Sequence, residues 1–244
     1  MIELRGVSKR FGELQALVPT SLRFPDGKTT VLIGPSGCGK STILRLINGL
    51  IDPDEGEILI DGHALTADTL LARRREMGYV IQEGGLFPHL TAEQNVWLMQ
   101  RHIGGEIRDC VKRVTDLAKL TRFPEDARTK YPGELSGGQR QRVSLMRGLA
   151  LDPPILLLDE PLGALDPIVR NELQTELKEI FAKLKKTVVL VTHDMAEAAY
   201  LGDTIVLLKD GQVVQQGTLD GFKRKPANDF VTQFLNAQRS LVAI

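Results

Sequence analysis

The chain has 244 residues, of which 42% are hydrophobic and 25% are charged, and its 31 basic and 31 acidic side chains give a net charge of zero. This length suffices for one large domain, or one with a sub-domain, with a substantial core, while the balanced charge offers no electrostatic case for binding nucleic acid. No apolar stretch approaches the roughly 18 residues that a membrane-spanning helix needs, and the N-terminus lacks the apolar core of a signal peptide. We therefore expect a soluble chain made in the cytoplasm.

The N-terminal segment predicts β-structure. Short alternating apolar runs up to about Phe24 indicate antiparallel strands that join a central sheet. A Pro-Asp-Gly turn at 25–27 then leads into the apolar run 31–33, which predicts a buried strand.

Residues 34–42 read GPSGCGKST and fit the phosphate-loop pattern G-x-x-x-x-G-K-[ST]. Glycines let backbone N–H groups close around a phosphate, Lys40 would reach the β- and γ-phosphates, and the Ser41 hydroxyl would take a Mg²⁺ position. A helix that begins near Lys40 would point the positive end of its dipole at the anion. The loop alone indicates a nucleoside triphosphate, and a plain glycine-rich turn between a strand and a helix is the alternative. The expected nucleotide contacts in this loop are Gly34, Pro35, Ser36, Gly37, Cys38, Gly39, Lys40, Ser41 and Thr42.

The stretch from about 83 to 150 has helical character and is predicted to be an insertion. Thr91 and Gln94 have capping-box spacing at the start of one helix. Ser136 and Gln139 have the same spacing at the start of another, where a glycine-rich helix N-terminus is also a phosphate receptor. The second helix start can be a capping box and a phosphate receptor at the same time.

Sheet signals return in the C-terminal half. The runs 155–158 and 188–191 are apolar throughout and predict parallel strands that are covered on both faces. The first run ends at Asp159, which fits the carboxylate that helps to hold Mg²⁺, and at Glu160, which fits a base that orients or deprotonates water. Two exposed acids at a strand end are the alternative.

Further along the chain, Asp166 as N-cap and Pro167 at the first position predict the start of a helix. Asp210 and Gly211 predict the turn of a β-hairpin. Strands that alternate with helices in this way are typical of an α/β protein.

The order of these motifs resembles that of the ATP-binding cassette (ABC) family over nearly the whole chain. The phosphate loop, Gln82, LSGGQ at 135–139, ILLLDE at 155–160, GALD at 163–166 and His193 follow one another as they do in that family. The resemblance implies a phosphate-loop NTPase core of the RecA-like type with an antiparallel β subdomain and a helical subdomain. The nucleotide-binding domain would cover 1–235, with the helical subdomain at about 83–150 inserted in it, and a short tail would occupy 236–244.

The resemblance also implies a site made by two chains. Two copies, or one copy and a paralogous cassette, would face head to tail, so that each ATP lies against one phosphate loop and the opposing copy's Ser136, Gly137, Gly138, Gln139 and Asp166. Phe11 would stack on the adenine, although an ordinary core aromatic is the alternative. The implied catalytic residues are Glu160, His193 and Gln82. The implied Mg²⁺ ligands are Ser41, Gln82 and Asp159. Asp194, next to His193, is also suited to cap the following helix.

A single cassette with a compact helical insertion is similar to bacterial importer subunits. The segments 81–91 and 225–231 look most like those of the osmoprotectant group, which moves glycine betaine, choline and related quaternary amines. This implies an ATPase coupled to uptake, peripheral on the cytoplasmic face of the cell membrane. Its partners would be permease subunits docked near 82–97 and, indirectly, a solute-binding protein, with no nucleic acid. Importers of methionine, nitrate/taurine or polyamines, and a soluble cassette acting on a non-membrane partner, are the alternatives.

Overall fold

A computed structural model describes residues 1–82, 85–163 and 165–238 of the chain. Glu83 and Gly84 of the expected docking loop, Ala164 of the GALD motif and residues 239–244 of the expected tail lie outside the described residues. The chain divides into two compact units, Met1–Arg74 with Lys185–Ile244 and Arg75–Leu184. We describe each unit separately.

The strands and helices follow in chain order. The strands are β1 (Ile2–Phe11), β2 (Leu14–Phe24), β3 (Thr29–Ile33), β4 (Glu55–Ile60), β5 (His63–Ala64), β6 (Met77–Val80), β7 (Ile155–Asp159), β8 (Thr187–Val191), β9 (Thr204–Lys209) and β10 (Gln212–Gly217). The α-helices are α1 (Lys40–Ile47), α2 (Ala67–Arg75), α3 (Ala92–His102), α4 (Ile107–Leu120), α5 (Gly137–Leu149), α6 (Pro167–Leu184), α7 (Met195–Leu201), α8 (Leu219–Arg224) and α9 (Asp229–Ala237). Short 3₁₀ helices occupy Glu125–Ala127 and Pro132–Glu134.

The N-terminal strands of the first unit form a sheet of their own, with the order β2-β1-β4-β5. The expectation that they join the central sheet was wrong. The physical reason lies in their pattern: β1 and β2 mix buried and exposed positions, which suits an antiparallel sheet with one face open to solvent rather than a sheet covered on both faces. Ile2 pairs with both Phe24 of β2 and Ile60 of β4.

A second group of strands in the first unit has the order β10-β9-β3-β8. β3 is parallel to both β8 and β9, and all residues of β3 and β8 are buried, as their apolar runs predict. The hairpin between β9 and β10 turns at Asp210 and Gly211, which both have positive φ, as expected. The phosphate loop begins directly after β3, at the carboxyl end of these parallel strands.

In the second unit, β6 and β7 pair in parallel. This unit also contains the helices α3 to α6. α5 lies directly against β6, because Gly78 and Gly148 allow a backbone contact: a Cβ atom on Gly78 would lie 2.2 Å from the Gly148 carbonyl oxygen. In the second unit, the helix that begins within LSGGQ therefore packs against the strand that precedes Gln82. Of the helices in the described part of the chain, none is both long and apolar enough to cross a bilayer.

Candidate nucleotide-binding site

The path of the phosphate loop depends on its glycines. Gly34, Gly37 and Gly39 all have positive φ. A Cβ atom on Gly34 would lie 2.1 Å from the Leu208 carbonyl oxygen, and one on Gly39 would lie 2.5 Å from that of Ala16. Side chains at these two positions would force the loop away from its neighbours, so glycine is required by geometry as well as by φ. The loop tip, residues 35–37, is exposed.

Lys40 begins α1 and is almost completely buried, with 6% of its surface exposed. Its Nζ donates hydrogen bonds to the carbonyl oxygens of Gly34 (2.8 Å) and Pro35 (2.9 Å) and lies 3.7 Å from Cys38 Sγ. None of the ion pairs found among the described residues includes this ammonium. A buried positive charge held by neutral acceptors lacks compensation, which makes the loop a favourable place for an anion.

Phe11 ends β1 with 45% of its surface exposed, so the alternative that it is an ordinary core aromatic was wrong. Lys9 Nζ lies 5.8 Å from the centre of the ring and forms an ion pair with Asp54 at 2.7 Å. The hydrogen bond from Lys9 and a second from the Arg10 backbone N–H lower the pKa of the Asp54 carboxyl. The ring is held near charged groups and remains accessible to a flat ligand.

Asp159 is buried at the end of β7, whereas Glu160 is half-buried. Glu160 has a φ of +44°, an uncommon value for a residue with a side chain. Its carbonyl accepts a hydrogen bond from the Gly163 N–H at 3.2 Å, and a Cβ atom on Gly163 would lie 3.3 Å from Glu160 Oε2. The turn after the strand thus fixes the backbone of the second acid, and strain of this kind is concentrated at functional residues.

The start of α5 is a capping box, as predicted. Ser136 Oγ accepts a hydrogen bond from the Gln139 N–H at 3.2 Å, and Gln139 Oε1 accepts one from the Ser136 N–H at 2.9 Å. A Cβ atom on Gly138 would lie 2.7 Å from Val169 Cγ1 of α6, so glycine permits the contact between these helices. The role of this helix start as a phosphate receptor stays a prediction.

Asp166 caps α6, again as predicted. Its Oδ1 accepts hydrogen bonds from the backbone N–H groups of Ile168 (3.2 Å) and Val169 (3.1 Å), and Pro167 is the first helical residue. The described part of the GALD motif is therefore the N-terminal cap of a long helix.

Gln82 is exposed after β6, and two residues that the sequence analysis missed hold the loop that follows it. Asn95, which is completely buried in α3, accepts a hydrogen bond from the Phe87 N–H and donates to the carbonyls of Phe87, Leu90 and Thr91. A buried asparagine in the first turns of a helix was the available signal, because such a side chain must find backbone partners.

Arg147 of α5 also contacts the loop that follows Gln82. One guanidinium nitrogen donates to the Gly85 carbonyl at 2.8 Å, and the guanidinium carbon lies 6.0 Å from the centre of the Phe87 ring. Burial lowers the pKa of Arg147. No local sequence pattern pointed to this contact, because 62 positions separate its partners.

His193 follows β8 in the first unit, and its neighbours fix the local backbone. Asp194 Oδ1 accepts hydrogen bonds from the N–H groups of Ala196 (2.7 Å) and Glu197 (3.2 Å), which confirms it as the cap of α7. The Thr192 hydroxyl donates to Glu197 at 2.9 Å and accepts from the Asp194 N–H at 3.1 Å. His193 is thereby placed in a tightly bonded turn at a strand end.

The predicted site residues are divided between the two units. The phosphate loop, Phe11 and His193 belong to the first unit, whereas Gln82, 136–139, 159–160 and Asp166 belong to the second. Across the described residues, no three His, Cys, Asp or Glu side chains are grouped as a metal site.

Comparisons with known proteins agree with this arrangement of motifs. Residues 17–163 match a family model described as ABC transporter. The chain is 45% identical over 240 residues to the choline transport ATP-binding protein OpuBA of Bacillus subtilis (strain 168), a match that covers 98% of this chain and 63% of that protein. It is 46% identical over 237 residues to the glycine betaine uptake system ATP-binding protein YehX of Escherichia coli (strain K12), with 96% and 76% covered.

A solved structure of an ATP-binding cassette has the same fold. The dimeric structure of a post-hydrolysis state of the ATP-binding cassette MJ0796 bound to ADP and Pi superposes with a TM-score of 0.81 at 38% identity, covering 90% of this chain and 99% of that one. The chain nevertheless spans less than two thirds of the length of OpuBA.

Proposed function

This chain belongs to the ABC transporter family, and from that premise we propose that it is the ATP-hydrolysing subunit of an importer for a quaternary amine of the glycine betaine or choline class. The match to a solved cassette confirms the expected phosphate-loop NTPase fold. The names of OpuBA and YehX, choline transport and glycine betaine uptake, support the solute class. Partner proteins would select the solute, because none of the candidate site residues is suited to recognise it.

The observation that carries the proposal is the buried ammonium of Lys40. It bonds to two carbonyl oxygens of its own loop, at the N-terminus of α1, where a triphosphate would supply the missing negative charge. Phe11 would stack on the adenine. From the opposing copy, Ser136 to Gln139 and Asp166 would close over the same nucleotide, which makes each single chain the holder of two half-sites.

Hydrolysis would use residues at the ends of two strands. Glu160 orients or deprotonates the attacking water, and His193 contacts the γ-phosphate. Mg²⁺, when bound, neutralises charge on the β- and γ-phosphates. Its proposed ligands are Ser41, Gln82 and Asp159, and these oxygen donors fit a hard cation that takes few protein ligands and keeps the rest of its coordination for water and phosphate.

Coupling to transport would pass through the loop after Gln82. Asn95 and Arg147 hold this loop to α3 and α5, so a permease docked near residues 82–97 would act on a supported element. We place the protein on the cytoplasmic face of the membrane, bound to permease subunits and served by a solute-binding protein. Gln82→Ala should leave ATP affinity largely intact and weaken transport-linked turnover.

Nucleotide binding is tested by Lys40→Ala in calorimetric titrations with ATP. Loss of the phosphate-facing cation should abolish measurable binding, whereas Lys28→Ala, which removes an exposed lysine paired at the surface with Asp203, should bind as the parent does. Unchanged affinity in Lys40→Ala would contradict the assignment of the loop.

The transport partner is tested by purifying the tagged protein from membranes of its host. A permease recovered in stoichiometric amount would support import, and its solute-binding protein would identify the solute. Recovery of the protein without any membrane subunit would contradict the transport role and leave the ATPase alone.

A further inference from the structure

One glutamine side chain bridges the backbone on both sides of Asp194. Gln238, the first residue after α9, accepts a hydrogen bond from the Met195 N–H on Oε1 at 2.9 Å and donates from Nε2 to the His193 carbonyl at 2.9 Å. A single planar amide therefore fixes two peptide groups of the turn that carries His193. We infer that Gln238 is a positioning residue for His193 in ATP hydrolysis, an inference that rests on the proposed function.

The helix that delivers Gln238 is itself anchored. Asn228 caps α9 by accepting a hydrogen bond from the Val231 N–H at 3.2 Å, and Val231 is fully buried. Phe230 lies under the ammonium of Lys209, which is 4.5 Å from the centre of its ring at the end of β9. The helix that carries Gln238 is thus anchored by its cap, by a buried side chain and by an aromatic contact.

Other hydrogen bonds hold the rest of this turn. Thr192 and Asp194 bond to the backbone or side chains of residues 194–197, which secures the start of α7. The peptide group between His193 and Asp194 is held at both ends, by the Thr192 hydroxyl at its N–H and by Gln238 at its carbonyl oxygen. Rotation of that peptide would turn the His193 side chain, and a small displacement of a group that must face the γ-phosphate costs turnover rather than affinity.

The first unit contains a second amide bridge of the same form, which supplies a matched control. Gln215 in β10 donates from Nε2 to the Lys225 carbonyl at 3.1 Å and accepts on Oε1 from the Ala227 N–H at 2.8 Å. It spans backbone groups two residues apart, as Gln238 does, and it also ties the C-terminal helices to the body of the unit. It touches no residue of the His193 turn.

The test measures kcat and KM for ATP with the purified chain. Gln238→Ala should lower kcat roughly 5- to 20-fold with KM changed less than about 2-fold, as expected when two hydrogen bonds to a catalytic turn are lost. Gln238→Glu should do at least as much harm, because its carboxylate can still accept from Met195 but opposes the His193 carbonyl. Gln215→Ala should keep the parental kcat.

A double-mutant cycle with His193→Ala separates positioning from general destabilisation. If Gln238 acts through His193, Gln238→Ala should cause no further loss of kcat in the His193→Ala background. An additive loss, a parental kcat in Gln238→Ala, or an equal loss in Gln215→Ala would each overturn the inference.

The proposed function fails differently. A parent protein without ATPase activity, or a His193→Ala variant with parental kcat, would overturn the assignment of His193, and the inference with it. A parent that hydrolyses ATP through His193 while Gln238→Ala is unaffected would overturn only the role of Gln238.

Discussion

Two opposing effects act on the thiol of Cys38 in the phosphate loop. Burial disfavours the thiolate, since only 3% of the residue is exposed, whereas the Lys40 ammonium 3.7 Å away favours it. Burial is the larger effect and raises the pKa of the thiol above its ordinary value of 9.0. We therefore expect Cys38 to be an unreactive thiol at neutral pH in spite of its cationic neighbour.

The prediction is that alkylation of Cys38 in the ligand-free protein is slow at pH 7.5 and continues to accelerate above pH 9. Because the folded-state pKa is raised, the protonated thiol contributes stability that is fully present below the unfolded pKa and is lost as pH rises through the folded one. The rate should be measured in a Cys110→Ser background, which leaves one thiol. A rate that reaches its plateau near pH 7 would mean that Lys40 outweighs burial.

At the scale of elements, a buried ion pair fixes α5 against α6. Arg142 donates two hydrogen bonds to the Glu176 carboxylate, at 2.9 and 3.1 Å, and the two side chains are only 14% and 6% exposed. Glu176→Gln keeps the size of the side chain but leaves a buried guanidinium unpaired. We expect it to lower the free energy of unfolding by about 3–5 kcal/mol, measured by urea denaturation.

The same helix provides the control. Glu179 pairs with Arg122 at 2.9 Å, but both side chains are 60% exposed. Glu179→Gln should therefore cost under about 1 kcal/mol. Equal losses of unfolding free energy in the two variants would show that burial does not determine how much the Arg142–Glu176 pair stabilises the protein.

Asn95 of α3 stabilises the loop after Gln82 through side-chain hydrogen bonds to its backbone. Asn95→Asp keeps the acceptor for the Phe87 N–H at 2.8 Å but turns the donor that serves three carbonyls into an acceptor. We expect a loss of about 2–4 kcal/mol in unfolding free energy and faster hydrogen exchange of the amides of residues 87–91. Gln94→Ala, which removes the single bond to the Thr91 N–H, should cost about 1 kcal/mol. Unchanged exchange in Asn95→Asp would exclude the supporting role.

These supports mark the boundary of what the sequence alone predicts. Caps such as Thr91, Ser136 and Asp166 were predictable, because a capping side chain bonds to backbone two or three residues away. The hairpin turn at Asp210 was predictable for the same local reason. Gln238 was not, since 45 positions separate it from the carbonyl it holds, and no periodicity specifies a side chain that bonds to distant backbone.

The separate N-terminal sheet shows the same limit for strands. Alternation predicted that β1 and β2 are antiparallel, and they are. Which sheet they join depends on β4, whose pairing with β1 links Ile2 to Ile60 across the sequence. Strand existence is therefore a local property, while sheet membership is a property of the whole unit.

At the scale of the whole molecule, the proposed site would be completed by a second cassette, either a copy of this chain or a paralogue. The nucleotide would be enclosed by the phosphate loop of one chain and the Ser136–Gln139 segment of the other, so ATP should drive association and hydrolysis should reverse it. Glu160→Gln removes the proposed base and should reduce turnover by roughly 10²–10⁴. The ATP-bound dimer should then persist.

Light scattering with ATP and Mg²⁺ should show the mass of Glu160→Gln doubling from the 26.9 kDa of one chain. ADP should leave it monomeric, because the γ-phosphate is the group that the opposing helix start would receive. Adding Lys40→Ala to Glu160→Gln should abolish the dimer, which ties association to nucleotide bound in the phosphate loop rather than to altered charge at residue 160. A Glu160→Gln protein that remains monomeric while it binds ATP would contradict the shared site, since an intact phosphate loop would then hold nucleotide without recruiting the second chain.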